Sequence, residues 1–344
     1  MSERDVLDPQ SAGHASASDR AAADFDRPLL LSARQDKLGF VGRLSGNVFM
    51  TVVASLTILA VVLIFVFIAR ESLIFLRERS LTELLGSTRW TPTHESTGEL
   101  TPGKGQQFGA LAIVYGSAIV TAGSILIAVP LGVLGAVFLS DIISFNARQI
   151  VKPVFEILAA IPSVAYGFFA IMVVAPWLQD AWGMTTGANA LNASVILAVM
   201  AIPTVVSISE DALTAIGREL REGGYSLGAT RAEVMVKVII PAAHSGIIAA
   251  VILGVMRAVG ETMLVWMAAG GATNVPTPWW DLTASVRTLT ATIAAEMAEA
   301  EKQGMHYSAL FTLGLLLLGL TFVLNLISEF FLSRAKRAIR GSTK

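Results

Sequence analysis

The chain has 344 residues, of which 54% are hydrophobic and 15% are charged, and its mean hydropathy is +0.65. These proportions lie outside the usual balance of soluble domains and indicate a membrane protein. The formal net charge of −1 gives no basis for nucleic-acid binding. Because cysteine is absent, disulfides, thiol nucleophiles and cysteine metal sites are excluded, and the four isolated histidines predict no metal site.

A polar N-terminal segment precedes six apolar segments along the chain. Residues 1–46 are rich in Ala, Ser, Asp and Arg, which predicts a flexible tail. A membrane span needs about 20 mainly apolar residues. Six segments meet that requirement, at about 47–69, 110–139, 154–177, 190–208, 242–270 and 307–331. The predicted fold is therefore an all-α integral membrane protein with a six-span domain at 47–335 and a basic C-terminus at 336–344.

The distribution of basic residues predicts the orientation of the chain. Six spans place both termini on one side, and that side carries 17 Lys and Arg residues against seven on the other. By the positive-inside rule, both termini are predicted to be cytoplasmic. The cluster of Arg70, Arg77 and Arg79 runs against this asymmetry, and interleaved glutamates suggest an amphipathic external segment there.

A polar loop at 209–241 lies between the fourth and fifth spans on the basic side. Ser207 and Glu210 have capping-box spacing, and Leu213, Ile216 and Leu220 follow on one helical face that is predicted to meet a partner. Gly223 and Gly224 are predicted to end this helix, and Gly228 to take a positive φ. A second capping box, Thr230 with Glu233, leads towards Pro241.

This loop resembles the EAA coupling loop of ABC-importer permeases, by which a membrane subunit docks on its ATPase. The matching positions are Glu222, Gly223, Gly224, Gly228, Ala229 and Pro241. Two further strings, EILAAIPSVAYGFF at 156–169 and RAVGETM at 257–263, look like the C-type permease subunit of bacterial phosphate-specific transport systems. The resemblance covers about 45–335. One departure is that Gly223 and Gly224 replace the two alanines usual in the family.

The resemblance implies a type I ABC-importer permease of the bacterial inner membrane. The implied partners are a homologous second permease in a heterodimer, two ATPase subunits and an external phosphate-binding protein. ATP and Mg are expected on the ATPase, with no cofactor on this chain. The segment 98–105 imitates a phosphate-binding loop, but Gly105 stands where Ser or Thr is required. No enzymatic activity is therefore predicted.

Arg257 and Glu261 are two ionisable residues within the predicted fifth span, four positions apart. Counted along a continuous helix, Arg257 falls near the bilayer midplane, where an unpaired charge is costly. It is a candidate phosphate donor, because its planar fork matches tetrahedral oxyanions. Glu261 could hold Arg257 or accept a proton, and a purely structural pair is the alternative. Ser163 and Thr262 are weaker candidates for the same path.

The predicted function is that of a permease subunit in an ATP-driven phosphate importer, forming half of the translocation path. A sulfate or molybdate importer permease is an alternative, since those oxyanions are also tetrahedral and can accept similar hydrogen bonds from an arginine. A membrane anchor or regulator of an ATPase that transports nothing is a second alternative.

Overall fold

The structure is a computed structural model that describes residues 33–92 and 106–341. Six of its helices are long and apolar enough to cross a membrane, as the sequence predicts. They are Ser45–Glu78, Leu111–Ile142, Ser163–Trp182, Ala190–Thr214, Arg231–Gly260 and Met305–Phe331. The segment at 98–105 and most of the predicted tail lie outside the described residues. From Ala33 onward the tail is helical, so the helix of the first span begins well before residue 47.

The chain divides into two compact units, Met1–Phe65 and Val66–Lys344. In chain order the helices are α1 Ala33–Glu78, α2 Leu81–Gly86, α3 Leu111–Val137, α4 Phe145–Ala160, α5 Ser163–Phe169, α6 Ala175–Trp182, α7 Ala190–Thr214, α8 Arg218–Ser226, α9 Arg231–Val234, α10 Ile240–Gly260, α11 Met263–Ala268, α12 Leu289–Glu296 and α13 Met305–Gly341. Strands β1 (Trp90–Thr91) and β2 (Gln107–Phe108) pair antiparallel. π-Helical turns at Phe138–Ile142, Ala170–Val174 and Met235–Ile239 continue α3, α5 and α9.

Helix α7 is the centre of the second unit, and small residues let its neighbours approach closely. Val205 of α7 is fully buried between Gly132 of α3 and Gly254 of α10. A Cβ atom at Gly132 would lie 2.7 Å from the Val205 side chain, and one at Gly254 would lie 2.8 Å from it. Close backbone approach through glycine is the usual way in which membrane helices gain packing contacts. The three spans therefore form one tightly packed group.

Two of the predicted spans are interrupted. The third, predicted at 154–177, breaks at Ile161 and Pro162, so the spanning helix begins at Ser163. Ile161 is extended (φ −61°, ψ 130°), the conformation that a following proline favours. The fifth, predicted at 242–270, begins at Arg231 instead and ends at Gly260, and α11 follows as a separate short helix. The prediction of a continuous helix through Glu261 is wrong, because Glu261 is extended (φ −71°, ψ 133°).

Candidate functional site

Helix α8 carries the residues that resemble the coupling loop, and it ends in a glycine turn. Gly228 has φ +82°, as predicted. Its backbone N–H donates to the carbonyl of Tyr225 at 2.9 Å, and the N–H of Ala229 donates to the carbonyl of Gly224 at 3.3 Å. This pair of bonds is the Schellman motif, which satisfies the last carbonyls of a helix and requires a residue in the left-handed region. The second capping box, Thr230 with Glu233, is also confirmed.

An ion pair and a close backbone contact hold α8 against the spans. Arg221 pairs with Asp141 in the π-helical turn that ends the second span, and it donates to the carbonyl of Leu213 at 2.9 Å. A Cβ atom on Gly224 would lie 2.8 Å from the side chain of Val234. Val234 belongs to a buried apolar cluster with Leu213, Ile216, Met235, Ile239, Ala136 and Ala243. The helix is therefore seated on the ends of the spans.

Several local predictions for this loop are wrong. Ser207 lies inside α7 and caps nothing, because α7 continues to Thr214. Leu213 and Ile216 are buried in the cluster just described, so two of the three residues predicted to meet a partner face the protein interior, and only Leu220 is exposed. Gly223 and Gly224 lie within α8 and do not end it. The second helix of the predicted loop 209–241 does begin after Thr230, at Arg231, and reaches Pro241 through a π-helical turn.

The outward surface of α8 is formed by other residues. Glu222 is exposed and makes no hydrogen bond or ion pair with its side chain in the described part of the chain. Leu220, Tyr225 and Leu227 are exposed as well, and Leu227 is 89% accessible. Gly223 has open space around it. A surface with one free carboxylate and three exposed large side chains can meet a partner protein.

The three glycines of this loop should respond differently to substitution. Gly228→Val places a β-branched side chain at φ +82°, which costs about 1–3 kcal/mol and reshapes the turn. Gly224→Ala forces a contact with Val234, whereas Gly223→Ala meets nothing and favours the helix. We expect ATPase co-purification, or stimulation of ATP hydrolysis, to fall for the first two variants only. Equal ATPase co-purification with Gly223→Ala and Gly228→Val would contradict a role of this turn in docking.

Arg257 lies where two helices end. It occupies the last turn of α10, and its Nη2 donates at 3.2 Å to the carbonyl of Ala159 in the last turn of α4. Carbonyls in a last helical turn lack intrahelical partners and carry partial negative charge. Two helix C-termini therefore stabilise the Arg257 cation. The side chain is exposed, so donors of the guanidinium other than the one on Ala159 can meet a ligand.

Glu261 does not pair with Arg257 in this structure. The fifth-span helix ends at Gly260, so the two side chains do not share a helical face as the four-residue spacing predicted. The Glu261 carboxylate instead accepts from the backbone N–H of Leu264 at 3.4 Å, at the start of α11. The Glu261 carbonyl accepts from the Thr290 hydroxyl at 2.6 Å. Glu261 thus stabilises the break itself.

The two hydroxyl candidates also lie at the helix breaks. Ser163 is the first residue of α5, directly after the break at Ile161 and Pro162. Thr262 precedes α11, and its hydroxyl donates to the carbonyl of Gly260 at 3.4 Å. Helices α5 and α11 pack together, because a Cβ atom on Gly167 would lie 2.6 Å from the sulfur of Met267. All four predicted path residues are therefore found at or beside two breaks whose following helices are in contact.

A buried carboxylate that the sequence analysis misassigned contacts the end of α4 that lies away from its break. Glu210 of α7 is fully buried and pairs with Arg148 and Lys152 of α4, with Lys152 Nζ 2.7 Å from its Oε2. Lys152 also contacts the exposed Asp211 at 3.3 Å. The pairs tie the first half of α4 to α7, whereas Arg257 contacts the last turn of α4 at Ala159. The residues are about 60 positions apart, and no local spacing indicated the contact.

A second carboxylate with several partners is that of Glu296, the last residue of α12, which is partly buried. Arg287 contacts its Oε1 at 2.7 Å, and its Oε2 accepts from Trp90 Nε1 at 2.9 Å and lies 2.8 Å from His306 Nε2. Burial acts to raise the pKa of Glu296, but hydrogen bonds from His306 and Trp90 and the charge of Arg287 outweigh it. The net pKa lies below the ordinary value, so Glu296 is ionised and joins the β1 segment to α12 and α13.

Comparison with known proteins agrees with this architecture. Residues 128–337 match the family described as binding-protein-dependent transport system inner membrane component. A probable ABC transporter permease protein, YqgH, of Bacillus subtilis is 34% identical over 89% of this chain and 96% of its own length. The phosphate transport system permease protein PstC of Mesorhizobium japonicum is 35% identical over 73% of this chain and 78% of its own.

Among solved structures, one of the MetNI methionine ABC transporter in inward-facing conformations covers 66% of this chain and 94% of the compared chain. The identity is 20% and the TM-score is 0.48. The family match spans well over half of this chain, and the two relatives are each more than 30% identical to it along most of their own length. The chain is therefore a multi-pass permease that belongs to the family of inner-membrane components of binding-protein-dependent transport systems.

Proposed function

We propose that this permease is one half of the translocation path of an ATP-driven importer of inorganic phosphate. Two facts support the substrate: the name of the phosphate transport permease to which the chain is similar, and the presence of Arg257 beside two helix breaks. Broken helices in transporters expose backbone groups where a substrate passes. The observation that carries the proposal is the contact of Arg257 with Ala159, which leaves a guanidinium that no carboxylate neutralises among the described residues.

The electrostatics of Arg257 suit a transported anion. An arginine paired with a carboxylate is already neutralised, and binding an anion requires breaking that pair. Arg257 is stabilised by carbonyls instead, which supply partial charges only. A tetrahedral oxyanion can accept two parallel hydrogen bonds from a guanidinium, and both are charge-assisted. Since the carbonyl contact is the weaker one, a phosphate can displace it without separating an ion pair.

The same proposal covers the assembly. The permease works with a homologous second permease, with two ATPase subunits that dock at α8 and bind ATP and Mg, and with an external phosphate-binding protein. The exposed surface of α8 supports a docking role. The 17-to-7 distribution of basic residues supports cytoplasmic termini and a cytoplasmic α8.

Uptake in cells that lack this permease tests the proposed substrate. We expect the deletion to remove uptake of radiolabelled phosphate at low external concentration, and a plasmid-borne copy to restore it. Sulfate and molybdate uptake, measured in the same cells, should not change. Loss of sulfate uptake with normal phosphate uptake would contradict the proposal and assign the path to a different oxyanion.

A further inference from the structure

A cleft lies between the end of the second span, the coupling helix α8 and the start of the fifth span. Its volume is about 640 Å³. Two of its three walls are π-helical turns, Phe138–Ile142 and Met235–Ile239, which are local departures from regular helix. Such turns occur frequently at functional sites. The third wall is Tyr225 of α8, so an occupant of the cleft touches the coupling helix.

The lining of the cleft is mostly apolar and runs from a buried floor to an exposed rim. Val234, Met235 and Ile239 form the floor and are buried. Ile142 and Val236 form the rim and are exposed, at 66% and 62% accessibility. The rim residues belong to helices that cross the membrane, at the ends nearest to α8. The cleft therefore offers a continuous apolar surface at the edge of the bilayer.

The charge of the cleft is positive. Its only carboxylate, among the described residues that line it, is Asp141, and Asp141 is neutralised by Arg221. Arg231 also lines the cleft, is exposed, and contacts no carboxylate within the described part of the chain. Lys237 lies one to two turns further on but pairs with Glu233 at 3.1 Å. One free cation thus stands beside an apolar cavity.

We propose that this cleft binds one anionic phospholipid, with its phosphate at Arg231 and an acyl chain along the floor. The chemistry requires an amphiphile, because free inorganic phosphate cannot use the apolar floor. It favours an anionic lipid, because the phosphate of a zwitterionic lipid is already neutralised by the ammonium group of the same headgroup. Basic side chains next to membrane spans attract anionic lipid headgroups. Because Tyr225 shares the cleft, the bound lipid supports α8 in the position from which it meets the ATPase. This inference stands independently of the transported substrate.

Native mass spectrometry of the detergent-purified transporter, with its partner subunits, tests the proposal. The probes are phosphatidylglycerol and phosphatidylcholine added at equal concentration. We expect the wild type to retain phosphatidylglycerol in preference, and Arg231→Gln to lower that retention about fivefold, the contribution expected of one basic side chain. Lys237→Gln is the matched control, because it removes a nearby charge that does not line the cleft, and it should retain the lipid.

A second variant separates the cleft from the surface charge. Ala232 lines the cleft and is exposed, so Ala232→Trp should fill the cavity and abolish retention while Arg231 remains in place. Equal retention of the two lipids, or equal loss in Arg231→Gln and Lys237→Gln, would overturn the proposal. Cross-linking of a cysteine at Ala232 to the ATPase, in complexes that retain no lipid, would assign the cleft to the partner protein instead.

Discussion

Replacing Arg257 with glutamine is expected to reduce phosphate uptake strongly while the transporter still assembles. The glutamine amide can still donate to the Ala159 carbonyl, so the tie between α10 and α4 is kept. What is lost is the charge and the paired donors that an oxyanion requires. Losing a hydrogen bond to a charged group costs about 1.5–3 kcal/mol, which corresponds to roughly a ten- to hundredfold loss of uptake at low phosphate.

Arg257→Lys is the matched variant, because it keeps the positive charge and removes the planar guanidinium that donates paired hydrogen bonds. We expect intermediate uptake from it, since a lysine binds phosphate as a point charge. Membrane levels and ATPase co-purification should match the wild type for both variants. If Arg257 only ties the two helix ends together, Arg257→Gln should transport normally, and that result would remove Arg257 from the substrate path.

Replacing Glu210 with glutamine is expected to destabilise the permease strongly. The change leaves Arg148 and Lys152 without the carboxylate that both contact on α7. Breaking a buried ion pair costs about 3–5 kcal/mol, and because the two cations are about one-third exposed we expect about 3 kcal/mol. We expect a lower unfolding temperature in detergent, and size-exclusion chromatography of heated samples is the measurement.

Asp211 provides the control for Glu210 at the adjacent position. Asp211 also contacts Lys152, but its side chain is 66% exposed, and an exposed ion pair contributes about 0–1 kcal/mol. Asp211→Asn should therefore unfold close to the wild-type temperature. Arg148→Gln alone should be milder than the double variant with Lys152→Gln, which leaves Glu210 buried and unpaired. An Asp211→Asn variant as unstable as Glu210→Gln would contradict this ranking.

The sequence by itself indicated which six segments are long and apolar enough to cross a membrane, and it indicated two local features after α8, the conformation of Gly228 and the capping box of Thr230. Length and hydropathy are sufficient for the spans, because the bilayer requires about 20 apolar residues whatever surrounds them. The positive φ of Gly228 and the capping box of Thr230 depend on residues within one or two turns. Such local features follow from backbone sterics and nearby hydrogen bonds, which the sequence specifies directly.

Only the tertiary structure decided where the spans break. The strings Ala-Ile-Pro-Ser-Val and Ala-Ile-Pro-Thr-Val are nearly the same, yet the helix breaks at Pro162 and continues through Pro203. Pro203 is buried within the central helix α7, where packing on several sides holds the helix despite the lost hydrogen bond. Pro162 is exposed, and the carbonyls freed before it are taken by Tyr166, which bonds to Leu158, and by Arg257.

The partners of the charged residues were likewise decided by tertiary structure. Spacing along the chain paired Arg257 with Glu261 and Ser207 with Glu210, and neither pairing exists in the structure. Glu210 meets Arg148 and Lys152 from about 60 positions away, and Arg257 meets a carbonyl about 100 positions away. Periodicity reports only neighbours on the same helix. Contacts between helices depend on how the whole bundle packs, and a buried charge such as Glu210 is tolerated only where that packing brings a partner to it.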